Sequence, residues 1–240
     1  MKLYCTMKPF WRYYGGKFRI ARRYPIPGLR IVEPFAGAAG YAMRYPDRAV
    51  ILVDKYPIVT GIWRWLIGAS ENDIRTIPSV RAVGDLPSWV CQEARWLVGF
   101  WLNSAVVSPR LTQSAGRKRM EQAGCKLESW NDAVKDRIAG QVQQIRHWKV
   151  IEGDYTCAPD IEATWFIDPP YNNRAGSYYV HSDIDYVNLA AWCRDRRGHT
   201  IVCENDGASW LPFRPFTVLK RGINGGRDSR EVIWDSTVDA

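Results

Sequence analysis

The chain has 240 residues, 46% of them hydrophobic, with a net charge of +8 and a pI near 9.2; that length suits one catalytic domain with at most a modest insertion, and the apolar share builds a core without disulfides or metal. No apolar run approaches the roughly 18 residues of a membrane span, and the opening stretch Met1–Lys17 carries charges and aromatics where a signal peptide has an apolar run, so the expected location is cytoplasmic. Six cysteines and three histidines are scattered without a CxxC pair, which argues against zinc and for reduced, mostly buried thiols, while the excess of Lys and Arg favours a polyanionic partner.

In chain order, the first feature is RYYGGK, Arg12–Lys17, which places two aromatics, a Gly-Gly bend and a lysine together. By itself it reads as a surface loop. Leu29–Glu33 and Val50–Val53 are short apolar runs stopped by turn signals, as are Lys149–Glu152, Thr164–Ile167, Thr200–Glu204, Phe216–Leu219 and Glu231–Trp234. Continuous apolar strands separated by helical stretches predict a mostly parallel sheet covered on both faces. Between the second and third strands, residues 57–147 show helical stretches at Trp89–Asn103 and Ser129–His147. A polar, basic stretch, Ser108–Lys126, lies between them. This middle reads as a largely helical insertion with a recognition role. Arg221–Arg230 is a Gly-rich, basic connection, expected to be a hairpin loop or a flap. The 12 tryptophans and 12 tyrosines are expected mainly in packing rather than as base-stacking platforms.

Two stretches carry chemistry. VEPFAGAAGY, Val32–Tyr41, follows the first strand, and small residues there let backbone approach a ligand at the carboxyl edge of a parallel sheet. Asp54 ends the next strand, where a carboxylate can accept from both hydroxyls of a ribose or merely cap a turn. FIDPPY, Phe166–Tyr171, is the more specific signal. Two prolines cannot continue a central strand, so the chain turns there. The turn presents the Asp168 carboxylate, the Pro169 carbonyl and the Tyr171 ring. An aromatic amine is a poor nucleophile because its lone pair is delocalised. Two acceptors on its N–H bonds localise that pair, and an aromatic face can stack on a base rotated out of a duplex.

In this order, these stretches resemble the Dam-like, alpha-group DNA adenine-N6 methyltransferases. Arg12, Tyr13, Gly15, Gly16 and Lys17 match a motif near that family's start, and Glu33, Pro34, Phe35 and Gly37 match its cofactor loop. Gly153, Asp154 and Tyr155 match a Gly-Asp-aromatic element that contacts the cofactor's adenine, and Asp168, Pro169, Pro170 and Tyr171 match its catalytic tetrad intact. Arg230–Trp234 resembles a late family strand. The resemblance implies a seven-stranded, mostly parallel sheet of the methyltransferase type with helices on both faces, S-adenosylmethionine as cofactor and double-stranded DNA as partner. It implies no metal and no membrane. It places the catalytic, cofactor-binding part at residues 1–56 and 148–240, with target recognition at 57–147. The cofactor residues so implied are Tyr13, Tyr14, Gly16, Lys17, Glu33, Pro34, Phe35, Ala36, Gly37, Ala38, Asp54, Asp154, Tyr155 and Asp168, with catalysis at Asp168, Pro169, Pro170 and Tyr171. Phosphate contacts are expected from Arg110, Arg117, Lys118, Arg119, Arg221 and Arg227.

The sequence departs from that family in two places. Ala39 stands where a second loop glycine is common, which is harmless if that position keeps a negative φ. Trp101–Met120 lacks the pattern of members that read GATC, so that specificity is not implied. Adenine methylation in RNA and non-catalytic DNA binding are the alternatives. Oligomeric state is open.

Overall fold

The computed structural model describes residues 7–125, 128–219 and 228–239. Seven strands form one sheet: β1 (Arg30–Glu33), β2 (Ala49–Asp54), β3 (Lys149–Glu152), β4 (Ala163–Ile167), β5 (Gly198–Asn205), β6 (Arg214–Leu219) and β7 (Ser229–Asp235). Their order is β3-β2-β1-β4-β5-β7-β6. The first five pair in parallel, and β7 runs antiparallel between β5 and β6. This is the methyltransferase-type α/β sheet expected from the sequence. The predicted loop between the last two strands falls largely on residues 220–227, outside the described set.

Successive side chains of each strand leave on opposite faces, and the core divides accordingly. Ile31, Leu52, Phe166, Ile201, Cys203 and Ile233 face one layer. Val32, Val53, Trp165, Ile167, Val202 and Trp234 face the other. The second layer is closed by helix α6 (Tyr186–Arg194) through Leu189, Ala190 and Cys193. The first layer is deeper. It holds Phe10 and Trp11 from the chain start together with helices α1 (Pro57–Gly68), α2 (Glu71–Arg75), α3 (Gln92–Leu102) and α5 (Asp132–Ala139).

Residues 57–147 therefore share the sheet's core instead of building a separate one. Helix α1, started by Pro57, lies on β2 and β3 as their crossover. Helix α2 opens with a capping box between Ser70 and Asp73 and packs on α5. Helix α4 (Ala115–Gln122) is the most polar, and Ser114 caps it. The tryptophans do pack, with Trp11 against both Trp63 and Phe100. The thiols depart from expectation: Cys91, Cys125 and Cys157 are free but exposed, and only Cys193 and Cys203 of the described cysteines are buried. Among the described residues no helix is long and apolar enough to cross a membrane, and no acid, histidine or cysteine cluster could hold a metal ion.

Candidate active site

A cavity of about 270 Å³ opens at the carboxyl ends of β1, β2 and β4. Parallel strands end there with their loops diverging, which leaves a crevice. All fourteen expected cofactor residues line it, from Tyr13, Tyr14, Gly16 and Lys17 through Glu33–Ala38 and Asp54 to Asp154, Tyr155 and Asp168. Of the expected catalytic residues, Asp168 and Pro170 line it, whereas Pro169 and Tyr171 do not.

The loop after β1 is held from several sides. Buried Glu33 accepts from the Ala42 N–H at 2.6 Å. Asp54 accepts from the Gly37 N–H at 2.8 Å through one oxygen and from the Tyr56 N–H at 2.9 Å through the other. The indole of Trp63 in α1 donates to the Gly37 carbonyl. Desolvation raises the Glu33 carboxyl to about 8 and Asp54 to about 6, each partly offset by those backbone donors. The condition placed on Ala39 is not met: its φ is +49°, beside Gly37 at +45°. The loop thus holds an alanine in the left-handed conformation, at a cost of about 1–2 kcal/mol. Gly40 is required for another reason. A Cβ there would lie 2.8 Å from the Phe18 nitrogen and 2.9 Å from that of Lys17. Its absence lets the RYYGGK segment sit against the loop.

Lys17 is therefore no surface lysine. It is buried, and its ammonium lies 2.8 Å and 3.0 Å from the two oxygens of Asp168 and donates to the Gly15 carbonyl at 3.1 Å. It also stands over the Tyr171 ring, 4.7 Å from the centroid. The Asp168 carboxyl is raised by desolvation, against the pull of Lys17. Oδ1 of Asp168, although close to the ammonium, receives no directed hydrogen bond. Tyr171 turns its hydroxyl to Glu231, which accepts it.

The Asp-Pro-Pro-Tyr turn has supports that no sequence motif marks. Glu204, at the end of β5, is buried and raised by desolvation; it accepts from the Asn172 N–H at 3.0 Å and from the Trp210 indole. The Tyr186 hydroxyl donates to the Pro170 carbonyl at 2.6 Å. The far wall of the cavity comes from Tyr179, Val180, His181, Asp183, Ile184 and Asp185. Tyr179 donates to the Tyr14 carbonyl, tying that wall to the RYYGGK segment. Phe35 and Tyr155 stack at 5.7 Å, and Asp154 caps its own turn through Thr156.

The expected phosphate-binding residues divide. Arg110, Lys118 and Arg119 are exposed. Arg117 is only 7% exposed; its guanidinium bonds to Glu121 and to the Glu128 carbonyl, so it braces α4 and the following loop and is not presented to a partner. Arg221 and Arg227 lie outside the described residues.

No known family model matches the sequence, and no curated protein does. Among solved structures, a conserved hypothetical protein from Streptococcus pyogenes aligns at 10% identity and a TM-score of 0.35, over 88% of each chain. The mitomycin 7-O-methyltransferase MmcR aligns at 11% identity and a TM-score of 0.35, over 91% of this chain and 52% of that one. At such identities and scores neither likeness bears on function.

Proposed function

We propose that this chain transfers a methyl group from S-adenosylmethionine to the exocyclic N6 amine of adenine in double-stranded DNA. The observation that carries the reading is the Asp-Pro-Pro-Tyr turn. Its Asp168 opens into the same cavity as Glu33, Asp54 and the Asp154–Tyr155 pair. These residues suit a nucleoside bearing a sulfonium. Each oxygen of Asp54 has accepted one backbone N–H and keeps a lone pair for a ribose hydroxyl. Phe35 and Tyr155 supply an apolar aromatic wall for a base. The under-bonded Asp168 Oδ1 is an acceptor still lacking a directed donor.

The cofactor, when bound, supplies an electrophilic methyl on a cationic sulfur. The residues of the chain do the rest. Asp168, which lines the cavity, accepts an amine N–H, localising the nitrogen lone pair, and takes up the proton that the nitrogen gives up on methylation; no covalent nucleophile is involved. Lys17 keeps the Asp168 carboxylate compensated inside the protein. Most of the acceleration is positional, a contribution of roughly 7–11 kcal/mol in favourable cases. The exposed Arg110, Lys118 and Arg119 grip phosphates while the adenine leaves its stack.

The test is incubation with radiolabelled S-adenosylmethionine and either duplex DNA or RNA, followed by nucleoside analysis. Labelled N6-methyladenosine from RNA alone would reassign the substrate. Label in neither polymer, from protein that binds the cofactor, would reduce the chain to a binding protein.

A further inference from the structure

Strand β7 carries a carboxylate that its structural role does not require. Arg230 points to solvent and Val232–Asp235 are buried, so Glu231 enters the core side just ahead of the apolar run Val232–Trp234. It is 5% exposed. A carboxylate taken that far from water costs several kcal/mol unless its lone pairs are met. Its partners are few and specific. Oε1 accepts from the Ser229 hydroxyl at 3.0 Å. Oε2 accepts the Tyr171 hydroxyl and lies 3.9 Å from the Lys17 ammonium. The two groups it meets inside the core are thus the aromatic ring of the catalytic turn and the counter-ion of Asp168.

The charge count gives this arrangement a purpose. One ammonium stands between two carboxylates, held at 2.8 Å by Asp168 and at 3.9 Å by Glu231. An amine entering the site asks Asp168 to accept its N–H, in competition with Lys17. A second carboxylate behind the ammonium lets it yield an oxygen without becoming an unpaired buried charge. The same carboxylate anchors the Tyr171 hydroxyl, at the far end of a ring that also faces that ammonium and packs on the core.

From this we propose that Glu231 is a positioning residue of the active site, orienting the Tyr171 ring and sharing Lys17 with Asp168. The inference rests on the methyl-transfer reading for its kinetic consequence but not for its geometry. Glu231→Gln keeps an oxygen for the Tyr171 hydroxyl and removes the charge that faces Lys17; Glu231→Ala removes both.

The full chain is labelled with 3-fluorotyrosine, and the Tyr171 fluorine signal is assigned as the one lost in Tyr171→Phe. It is expected to shift in Glu231→Gln and to move further or broaden in Glu231→Ala, with the remaining tyrosine signals in place as a check on the fold. A Tyr171 signal unchanged in both variants overturns the proposal. In methylation assays Glu231→Gln should lower kcat about 10-fold, with the KM for cofactor within about twofold. Glu231→Ala should cost more alone, but in a Tyr171→Phe background only about the 10-fold of Glu231→Gln, because the hydroxyl contact is already gone and the charge facing Lys17 is what remains to lose. Fully additive losses would mean that Glu231 only stabilises the fold. A wild-type protein that methylates nothing would retire the proposed function, and the fluorine signals would still decide this inference.

Discussion

At the carboxyl edge of the parallel strands the chemically important side chains are buried and tied to the chain. Asp54 holds two backbone N–H groups, Asp168 is paired with Lys17, and Glu204 grips the residue after the Asp-Pro-Pro-Tyr turn. Between β2 and β3, Arg95, Arg117 and Lys135 are likewise tied to chain carbonyls, but Arg110, Lys118 and Arg119 stand in solvent, and among the described residues Arg119 donates only to the Ala115 carbonyl of its own helix. The first arrangement is organised before any ligand arrives, which is what positional catalysis needs. The second is suited to a charged polymer that supplies its own geometry, with side chains that order when phosphates do. The two sets of side chains thus sit on opposite sides of one distinction, fixed against unfixed charge.

The largest expected effect breaks the fixed side. Asp168→Asn keeps the shape but removes the carboxylate that pairs with Lys17. Methylation should fall at least about 10³-fold, while cofactor affinity measured by calorimetry changes little. Retained activity would remove the catalytic assignment. Within α4 the contrast can be sharpened over two adjacent residues. Arg117→Ala should cost about 1–3 kcal/mol of unfolding free energy, because the Glu128 carbonyl and Glu121 lose a buried donor. Lys118→Ala should leave stability within about 0.5 kcal/mol and lower the salt-dependence slope of DNA binding by about 1. Equal behaviour of the two variants would erase the distinction.

Asp54 gives a pH test in which two trends oppose. Its carboxyl is raised to about 6 by burial, so the folded protein holds that proton more tightly than the unfolded chain. This group therefore favours folding in acid, and its contribution is lost as pH rises from the unfolded value through about 6. Accepting from ribose hydroxyls needs the ionised form. Cofactor affinity should thus weaken as pH falls through about 6, while the empty protein does not lose stability on Asp54's account. In Asp54→Asn the affinity step should vanish. A step that persists there belongs to another group.

How far the sequence announces all this depends on whether a feature is local. Each strand is a continuous apolar run, and the observed strands match those runs within two residues at each end, β5 beginning at Gly198 instead of Thr200 and β6 at Arg214 instead of Phe216. The loop after β1, Asp54 and the Asp-Pro-Pro-Tyr turn are short motifs at strand ends, and the parallel sheet brings strand ends together automatically. Glu204 has a readable signal, a single acid in a mostly apolar strand, the same one that marks Asp54, whereas Glu231 shares its strand with Arg230 and Asp235 and does not stand out. Tyr179–Asp185 had none, because an irregular segment is placed by contacts such as Tyr179 to Tyr14 that bridge distant parts of the chain. The RYYGGK segment by itself reads as a surface loop for the same reason: the burial of Lys17 depends on Asp168 and Gly40, and neither is near it in sequence.

The smallest effect is expected at Ala39, where two terms nearly cancel. Glycine would relieve the left-handed strain at φ +49°, about 1–2 kcal/mol. It would also delete a methyl that is fully buried, about 0.8 kcal/mol, and add chain entropy to the unfolded state, about 0.5–1 kcal/mol. Ala39→Gly should therefore change the unfolding free energy by less than about 1 kcal/mol in denaturant melts. Gly37→Ala, at φ +45° with a Cβ only 3.0 Å from the Tyr13 ring, has strain and a tight contact that the lower entropy of the unfolded chain, about 0.5–1 kcal/mol, offsets only in part. It should destabilise by about 2 kcal/mol or more. If the two substitutions cost the same, backbone conformation is not what the loop selects for, and Ala39 would stand in the glycine position because its methyl is needed by the core around it.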